Sequence, residues 1–192
     1  MAKEQTKDKI MQVAAKMFSK YGFQKTTVDE IARAAHKAKG SVYYYYASKE
    51  DLFKAVVEQE INVLKAGLTR VIIDSTDANG MIRNYLMNRM ILMKNATNYH
   101  ETLKADFIES YEFLSQVRES FTRFEIEVMK GILDRGVREH AFQIQDTLAT
   151  SQVIILAIKA IEIPFYHQHR LSEYEQTIIE LIDILVKGLG KP

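Results

Sequence analysis

Apolar residues recur at helical spacing along most of this chain, and this repetition constrains the fold more than any other feature. Between residues 4 and 21 they occur three and four positions apart, on one face of a helix: Ile10, Val13, Ala14, Met17, Phe18 and Tyr21. No alternating pattern is long enough for a sheet, and only 2 prolines and 8 glycines interrupt the helical pattern. The sequence therefore predicts an all-α protein.

Three helices are predicted before residue 47. The first covers residues 4–21 and stops at Gly22, which suits the left-handed position after a helix. Thr27 to Glu30 match a capping box, which predicts the start of a short second helix. A third short helix is predicted from Lys39 to about Tyr46. A tight turn between the last two makes them a helix-turn-helix candidate, in which the later helix enters the major groove of DNA.

Longer helices are predicted in the rest of the chain. Ser48 begins a cap for a fourth helix, which ends near Ile73, and "DSTDANG" (74–80) is the clearest loop. The helices predicted beyond it cover residues 79–96, 100–111, 112–137, 145–168 and 171–188, and the connections are "NATNYHE", "GVREHAFQIQD" and "HQHRL". The expected architecture has about nine helices. A three-helix head, residues 1–50, is joined through the long fourth helix to a helical body, residues 51–192.

Charge is distributed unevenly along the chain. Residues 1–54 hold 11 Lys and Arg against 6 Asp and Glu, whereas the remaining 138 residues hold 15 against 19. A basic first third beside an acidic remainder predicts a phosphate-facing N-terminal end.

Four consecutive tyrosines, Tyr43 to Tyr46, lie on the predicted third helix. Helical spacing places Tyr45 and Tyr46 with Val42 on one face, and it places Tyr43 and Tyr44 with Gly40 on another. The first pair is expected to pack inward. The second pair would face outward beside Lys39 and Ser41, where exposed aromatic rings next to a cation and a hydroxyl indicate contacts with phosphates and bases.

The stretches "YGFQKTTVDEIA" (21–32) and "KGSVYYYYASKEDLF" (39–53), with Phe18, resemble the TetR-type family of bacterial transcriptional regulators, over roughly residues 6–54. The resemblance implies an all-α homodimer that binds a double-stranded DNA operator and a small-molecule effector. It implies phosphate contacts from Thr26 and Thr27, a base-reading surface at Lys39, Ser41 and Tyr44, and contacts with the DNA backbone from Tyr43 and Lys49.

The turn before the third helix departs from the family pattern. The family usually has Ala-Gly-Val-Ser there, and this chain has Ala35, His36, Lys37 and Ala38. His36 stands where glycine tolerates positive φ, so strain is expected if the same turn is kept. Ala38 removes a potential side-chain cap. Lys37 is a hypothetical extra phosphate contact.

The body carries many flexible or aromatic apolar side chains between residues 79 and 137. At helical spacing these are compatible with an ordinary core, but the resemblance favours a partly apolar effector pocket. The residues chosen for that pocket are Met90, Phe107, Tyr111, Phe121 and Phe124.

The last two predicted helices, around residues 149–165 and 174–189, carry more apolar surface than a small body needs. The resemblance implies that the family dimerises through them. Two copies of a short recognition helix would read two halves of a palindromic operator.

Other classes of function find little support in the sequence. The chain has no cysteine, phosphate-binding glycine loop, Gly-x-Ser-x-Gly or His-Glu-x-x-His, so no catalytic site, metal or cofactor is expected. The "HQH" at 167–169 indicates a polar helix end. The N-terminus lacks a signal peptide and no stretch could cross a membrane, so a cytoplasmic protein is expected. A helical-bundle enzyme and a protein-binding adaptor that does not bind DNA are the alternatives.

Overall fold

The chain is described by a computed structural model, which covers residues 2–73, 75–103, 112–167 and 171–189. Within these ranges there are nine α-helices, one short 3-10 helix and no strand, so the all-α prediction is confirmed. The helices are α1 Ala2–Tyr21, α2 Val28–Ala34, α3 Lys39–Tyr45, α4 Lys49–Ile73, α5 Ala78–Met93, α6 Thr97–Glu101, the 3-10 helix Glu112–Leu114, α7 Ser115–Arg138, α8 Thr147–His167 and α9 Leu171–Leu189.

The chain forms two compact units. The first comprises residues 1–62 and 97–117, and the second comprises residues 63–96 and 118–192. The functional division expected at residue 50 remains a prediction. None of the described helices is long and apolar enough to cross a membrane.

The core of the first unit is built around three phenylalanines. The rings of Phe18 and Phe53 are 4.9 Å apart between centroids, and Phe23 lies 4.8 Å from Phe53. Ile31 of α2 and Val42 of α3 are also buried. Burial of side chains of this size contributes about 1.5–3 kcal/mol each, so the short α2 and α3 are held by packing and not by their own helical stability.

The start of α2 confirms the predicted capping box. The side-chain oxygen of Thr27 accepts from the main-chain amide of Glu30 at 3.3 Å, and the Glu30 carboxylate accepts from the Thr27 amide at 2.9 Å. The Thr27 hydroxyl also donates to the Glu30 carboxylate at 2.7 Å, and this hydrogen bond, with the one from the Thr27 amide, lowers the pKa of Glu30 because both favour its charged form.

One predicted connection is wrong. Residues of "NATNYHE" form the short helix α6, Thr97–Glu101, which is followed by a turn at residues 102–103. The helix predicted over 100–111 stays a prediction, because residues 104–111 lie outside the described part. The N-terminus of α6 is closed by Glu60 of α4, which interrupts the apolar stripe of that helix. Because this acceptor is distant in sequence, no local cap signal marked the helix.

The second unit packs α5, α7, α8 and α9 around an apolar core that includes Ile82, Tyr85, Met129, Leu133, Ile155 and Ile182. Arg83 of α5 forms an ion pair with Asp183 of α9. A second pair, Arg89 of α5 with Glu125 of α7, is almost completely buried.

Candidate nucleic-acid interface

The turn between α2 and α3 keeps a regular helix-ending geometry. The amide of Lys37 donates to the carbonyl of Ala32 at 2.9 Å, and the amide of His36 donates to the carbonyl of Arg33 at 3.1 Å. This is the Schellman pattern, which requires a left-handed residue between the helix and the following chain. His36 occupies that position with φ of 56°. The turn is therefore undistorted, and His36 adopts the left-handed conformation in which strain is expected.

The four tyrosines divide as predicted. Tyr46 is buried, and Tyr45 is half-buried with its hydroxyl donating to the carbonyl of Lys3 at 2.9 Å. Tyr43 and Tyr44 point outward and are 45% and 67% exposed. An exposed aromatic pair on a helix of 7 residues is typical of an interaction surface.

The outward side of α3 carries five of the residues expected to contact DNA. Lys39, Gly40, Tyr43 and Tyr44 are exposed and Ser41 is half-buried; we call these five residues the recognition face. A Cβ placed on Gly40 would meet nothing within 4 Å, so a partner can approach the backbone closely there. Ala38, the residue before α3, makes no side-chain cap, as the sequence predicted.

Three of the expected phosphate contacts are engaged within the protein. Thr26 is buried and its hydroxyl donates to the carbonyl of Gly22 at 2.8 Å, so its side chain supports the surface from within. Lys49 is half-buried, and its ammonium donates to the carbonyl of Phe23 at 3.0 Å and lies over that ring. Thr27 is exposed, but its hydroxyl donates to Glu30.

A groove of about 410 Å³ lies beside the recognition face. It is lined by Asp29, Ala32 and Arg33 of α2, Lys37 of the turn and Lys39 of α3. Lys39 donates to Asp29 at 2.9 Å, and this hydrogen bond raises the pKa of Lys39. Sequence reasoning chose Lys37 and Lys39 but missed Asp29 and Arg33, whose four-residue spacing on α2 was the available signal.

Lys3 was also missed. Its ammonium lies 3.4 Å from the hydroxyl of Tyr44 and 5.7 Å from the centre of that ring. The first turn of α1 therefore adds a cation to the edge of the recognition face. The basic composition of the N-terminus was the only signal for it.

The predicted pocket residues are only partly covered by the structure, because Phe107 and Tyr111 lie outside the described residues. In the second unit, the rings of Phe121 and Phe124 are stacked with centroids 6.3 Å apart, and Met90 is half-buried.

Beside these rings lies a polar cluster. Glu125, which is fully buried, accepts from Arg89 through both oxygens, and its second oxygen is 3.6 Å from the Lys159 ammonium. Burying two charges costs desolvation energy, so an ion pair of this kind adds little net stability. The pair is therefore a candidate for a functional role. Among the described residues, no group of three acidic or histidine side chains could hold a metal ion.

The recognition face lies within a segment that matches a known protein family. Residues 10–56 match the family of bacterial regulatory proteins, tetR family. The chain is 27% identical over 191 residues to the HTH-type transcriptional regulator QacR of Staphylococcus aureus, covering 96% of this chain and 98% of that protein.

Two further similarities extend the comparison. IcaR, the HTH-type negative transcriptional regulator of the biofilm operon icaADBC, also from Staphylococcus aureus, is 27% identical over 122 residues, which cover 64% of this chain and 53% of the relative. The solved structure of the transcriptional regulator FadR from Bacillus subtilis, in complex with stearoyl-CoA, has a TM-score of 0.74 at 18% identity, covering 91% of this chain and 96% of that chain.

Proposed function

We propose that this chain, which belongs to the TetR family of bacterial transcriptional regulators, is a cytoplasmic homodimeric repressor that leaves a palindromic operator when a small molecule binds to its body. The observation that carries the proposal is the recognition face. A seven-residue helix at the second position of a helix-turn-helix presents exposed tyrosines, a lysine and an open glycine on one side. The negative regulator among its relatives supports repression as the sign of the response.

The recognition face would enter the major groove with α2 crossing the backbone. Lys39 and Ser41 provide donors for base edges, and the two outward tyrosines provide rings and hydroxyls. Gly40 lets the main chain approach the bases. Lys37, Lys3 and Thr27 lie where they can contact phosphates, while Thr26 and Lys49 hold the surface in place.

Dimerisation is supported by apolar side chains that α8 and α9 leave exposed. Leu156 of α8 is 71% exposed and Ile184 of α9 is 64% exposed. Val153 of α8 and Leu181 of α9 are also exposed. Aliphatic residues clustered on adjacent helices are typical of a subunit interface. A twofold dimer places two copies of α3 on half-sites about 34–36 Å apart.

The effector would bind in the second unit around Phe121 and Phe124. The stacked rings supply apolar surface, and the neighbouring pair Arg89–Glu125 supplies polar groups. The FadR structure, which shares the fold, holds stearoyl-CoA. The coupling would run through α4, whose residues 49–73 are divided between the two units. An effector that favours one conformation of the body shifts the population of DNA-competent dimers.

Selection of duplexes from a randomised DNA pool tests the proposal. The wild-type protein is expected to enrich an inverted repeat, and one dimer is expected to bind each selected duplex. A small molecule extracted from the purified protein and identified by mass spectrometry is expected to release that duplex when it is added back. No enrichment, or enrichment of a single half-site bound by one chain, contradicts the proposal.

A further inference from the structure

The ammonium that the proposed function assigns to base reading already has a partner in the protein. Lys39 Nζ lies 2.9 Å from Asp29 Oδ2 and 6.0 Å from the centre of the Tyr43 ring. Both side chains of the ion pair are 54% exposed. Asp29 belongs to the first turn of α2 and Lys39 is the first residue of α3, so the pair joins the two helices of the helix-turn-helix across the groove.

Asp29 is an unusual residue for this surface. The other charged residues that line the groove, Arg33, Lys37 and Lys39, are all cations. A carboxylate here is repelled by DNA phosphates and offsets one of the three positive charges. It is not needed for rigid support, because an ion pair between exposed side chains contributes only about 0–1 kcal/mol to stability. Its contact with Lys39 can therefore be exchanged for a better one.

We propose that Asp29 is a specificity-determining residue. It keeps Lys39 in an ion pair until a base edge of the correct geometry takes the place of the Asp29 carboxylate. Asp29 thereby weakens binding to DNA that offers Lys39 only phosphates. The inference rests on the proposed function. On unrelated DNA, Lys39 stays paired with Asp29 and neutralises no phosphate. On the operator, acceptors such as O6 and N7 of guanine replace the carboxylate, and Lys39 exchanges partners. Specificity arises because Asp29 lowers the affinity for unrelated DNA more than the affinity for the operator.

The substitution Asp29→Asn tests this inference, because it removes the charge and keeps the shape of the side chain. Affinities for a duplex selected by the wild-type protein and for a scrambled duplex of the same length are measured over a range of KCl concentrations. The variant is expected to bind the scrambled duplex at least about 3-fold more tightly, with a salt slope steeper by about one ion. Its affinity for the selected duplex rises less, so the ratio of the two affinities falls.

Glu58→Gln is the matched control, since it removes one exposed carboxylate from α4 of the same unit. This variant is expected to leave the ratio unchanged. In a Lys39→Ala background, Asp29→Asn is expected to have no further effect on the ratio, because Asp29 acts through Lys39. Thermal unfolding of each variant verifies that the fold is retained.

The inference is overturned if Asp29→Asn leaves the ratio unchanged or raises it, or if its effect persists without Lys39. Failure of the proposed function would look different. In that case the wild-type protein itself would show no salt-sensitive preference for the selected duplex, whatever residue stands at position 29.

Discussion

The carboxylate of Glu60 accepts a hydrogen bond from the main-chain amide of Tyr99 at 2.8 Å, so a side chain of α4 caps the N-terminus of α6. The other oxygen of Glu60 accepts a hydrogen bond from the side-chain amide of Asn98 at 2.7 Å. The side-chain amide of Asn98 also donates to the carbonyl of Ala15 in α1 at 3.2 Å. Within the first unit, Glu60 and Asn98 therefore link α4, α6 and α1.

Glu60→Gln is expected to lower the free energy of unfolding by about 1–3 kcal/mol, because the new amide nitrogen cannot accept from Tyr99 and leaves a part-buried donor unpaired. Urea unfolding followed by circular dichroism measures the change. Glu58→Gln, two residues earlier and exposed, serves as the control and is expected to change stability by less than about 0.5 kcal/mol. Equal effects of the two substitutions would contradict the role of Glu60.

The same contact has a pH dependence. Burial raises the pKa of Glu60 above its ordinary value of 4.5, although its hydrogen bonds oppose the shift. The native state therefore binds more protons than the unfolded state above pH 4.5, and the Glu60 contribution to stability falls as pH rises through the raised pKa. We expect the stability difference between wild type and Glu60→Gln to shrink over this range. A difference that grows with pH would contradict the direction of the shift.

His36→Gly is expected to stabilise the protein by about 1 kcal/mol, because glycine adopts the left-handed conformation of the turn without strain. Ala34→Gly is the control: it places glycine at the exposed last residue of α2, where the backbone is right-handed, and is expected to destabilise the protein by about 0.5–1 kcal/mol. Chemical unfolding compares the two. If both substitutions lower stability, His36 is not strained.

Gly40→Ala separates the fold from DNA binding. The added methyl group meets no atom within 4 Å and improves helix propensity, so stability is expected to rise by about 0.5–1 kcal/mol. Affinity for the selected duplex is expected to fall at least about 10-fold, because the methyl group occupies the space that base edges need. Gly131→Ala in α7, which is equally unobstructed, is expected to leave DNA binding unchanged. Equal DNA affinities for the two variants would argue against close approach at Gly40.

Leu156→Glu tests the proposed dimer interface. A charge in the middle of an apolar interface is costly to bury, so the mass measured by light scattering is expected to fall from that of two chains to that of one. Affinity for the full palindrome should fall with it. Ile91→Glu, which replaces an exposed apolar residue of α5, is expected to leave the dimer intact. A Leu156→Glu protein that stays dimeric would place the interface elsewhere.

Local patterns predicted the local parts of this structure well. Three features follow from residues only a few positions apart: the capping box at Thr27 and Glu30, the separation of Tyr43 and Tyr44 from Tyr46, and the left-handed backbone at His36. Their physical causes operate within one or two helical turns, so the sequence displays them directly.

The remaining features depend on contacts between distant segments. Lys49 occupies a position where the family pattern implies a phosphate contact, but its ammonium donates a hydrogen bond to the carbonyl of Phe23. The pairs Glu60–Asn98, Arg89–Glu125 and Asp29–Lys39 join different helices, and no periodicity within one helix identifies a partner on another. The supporting residues of the candidate site could therefore not be separated from its contacting residues by sequence alone.

The most direct measurement of the central claim is the salt dependence of DNA binding by the wild-type protein and a Tyr43→Ala, Tyr44→Ala variant, from about 50 to about 300 mM KCl. A Lys187→Ala variant, altered in the last turn of α9, is the control. For the wild-type and control proteins, the logarithm of the association constant for the selected duplex should fall linearly with the logarithm of salt concentration. The tyrosine variant should bind that duplex at least about 10-fold more weakly. A flat salt response, or unchanged affinity without the two tyrosines, would contradict the assignment of α3 as the recognition helix.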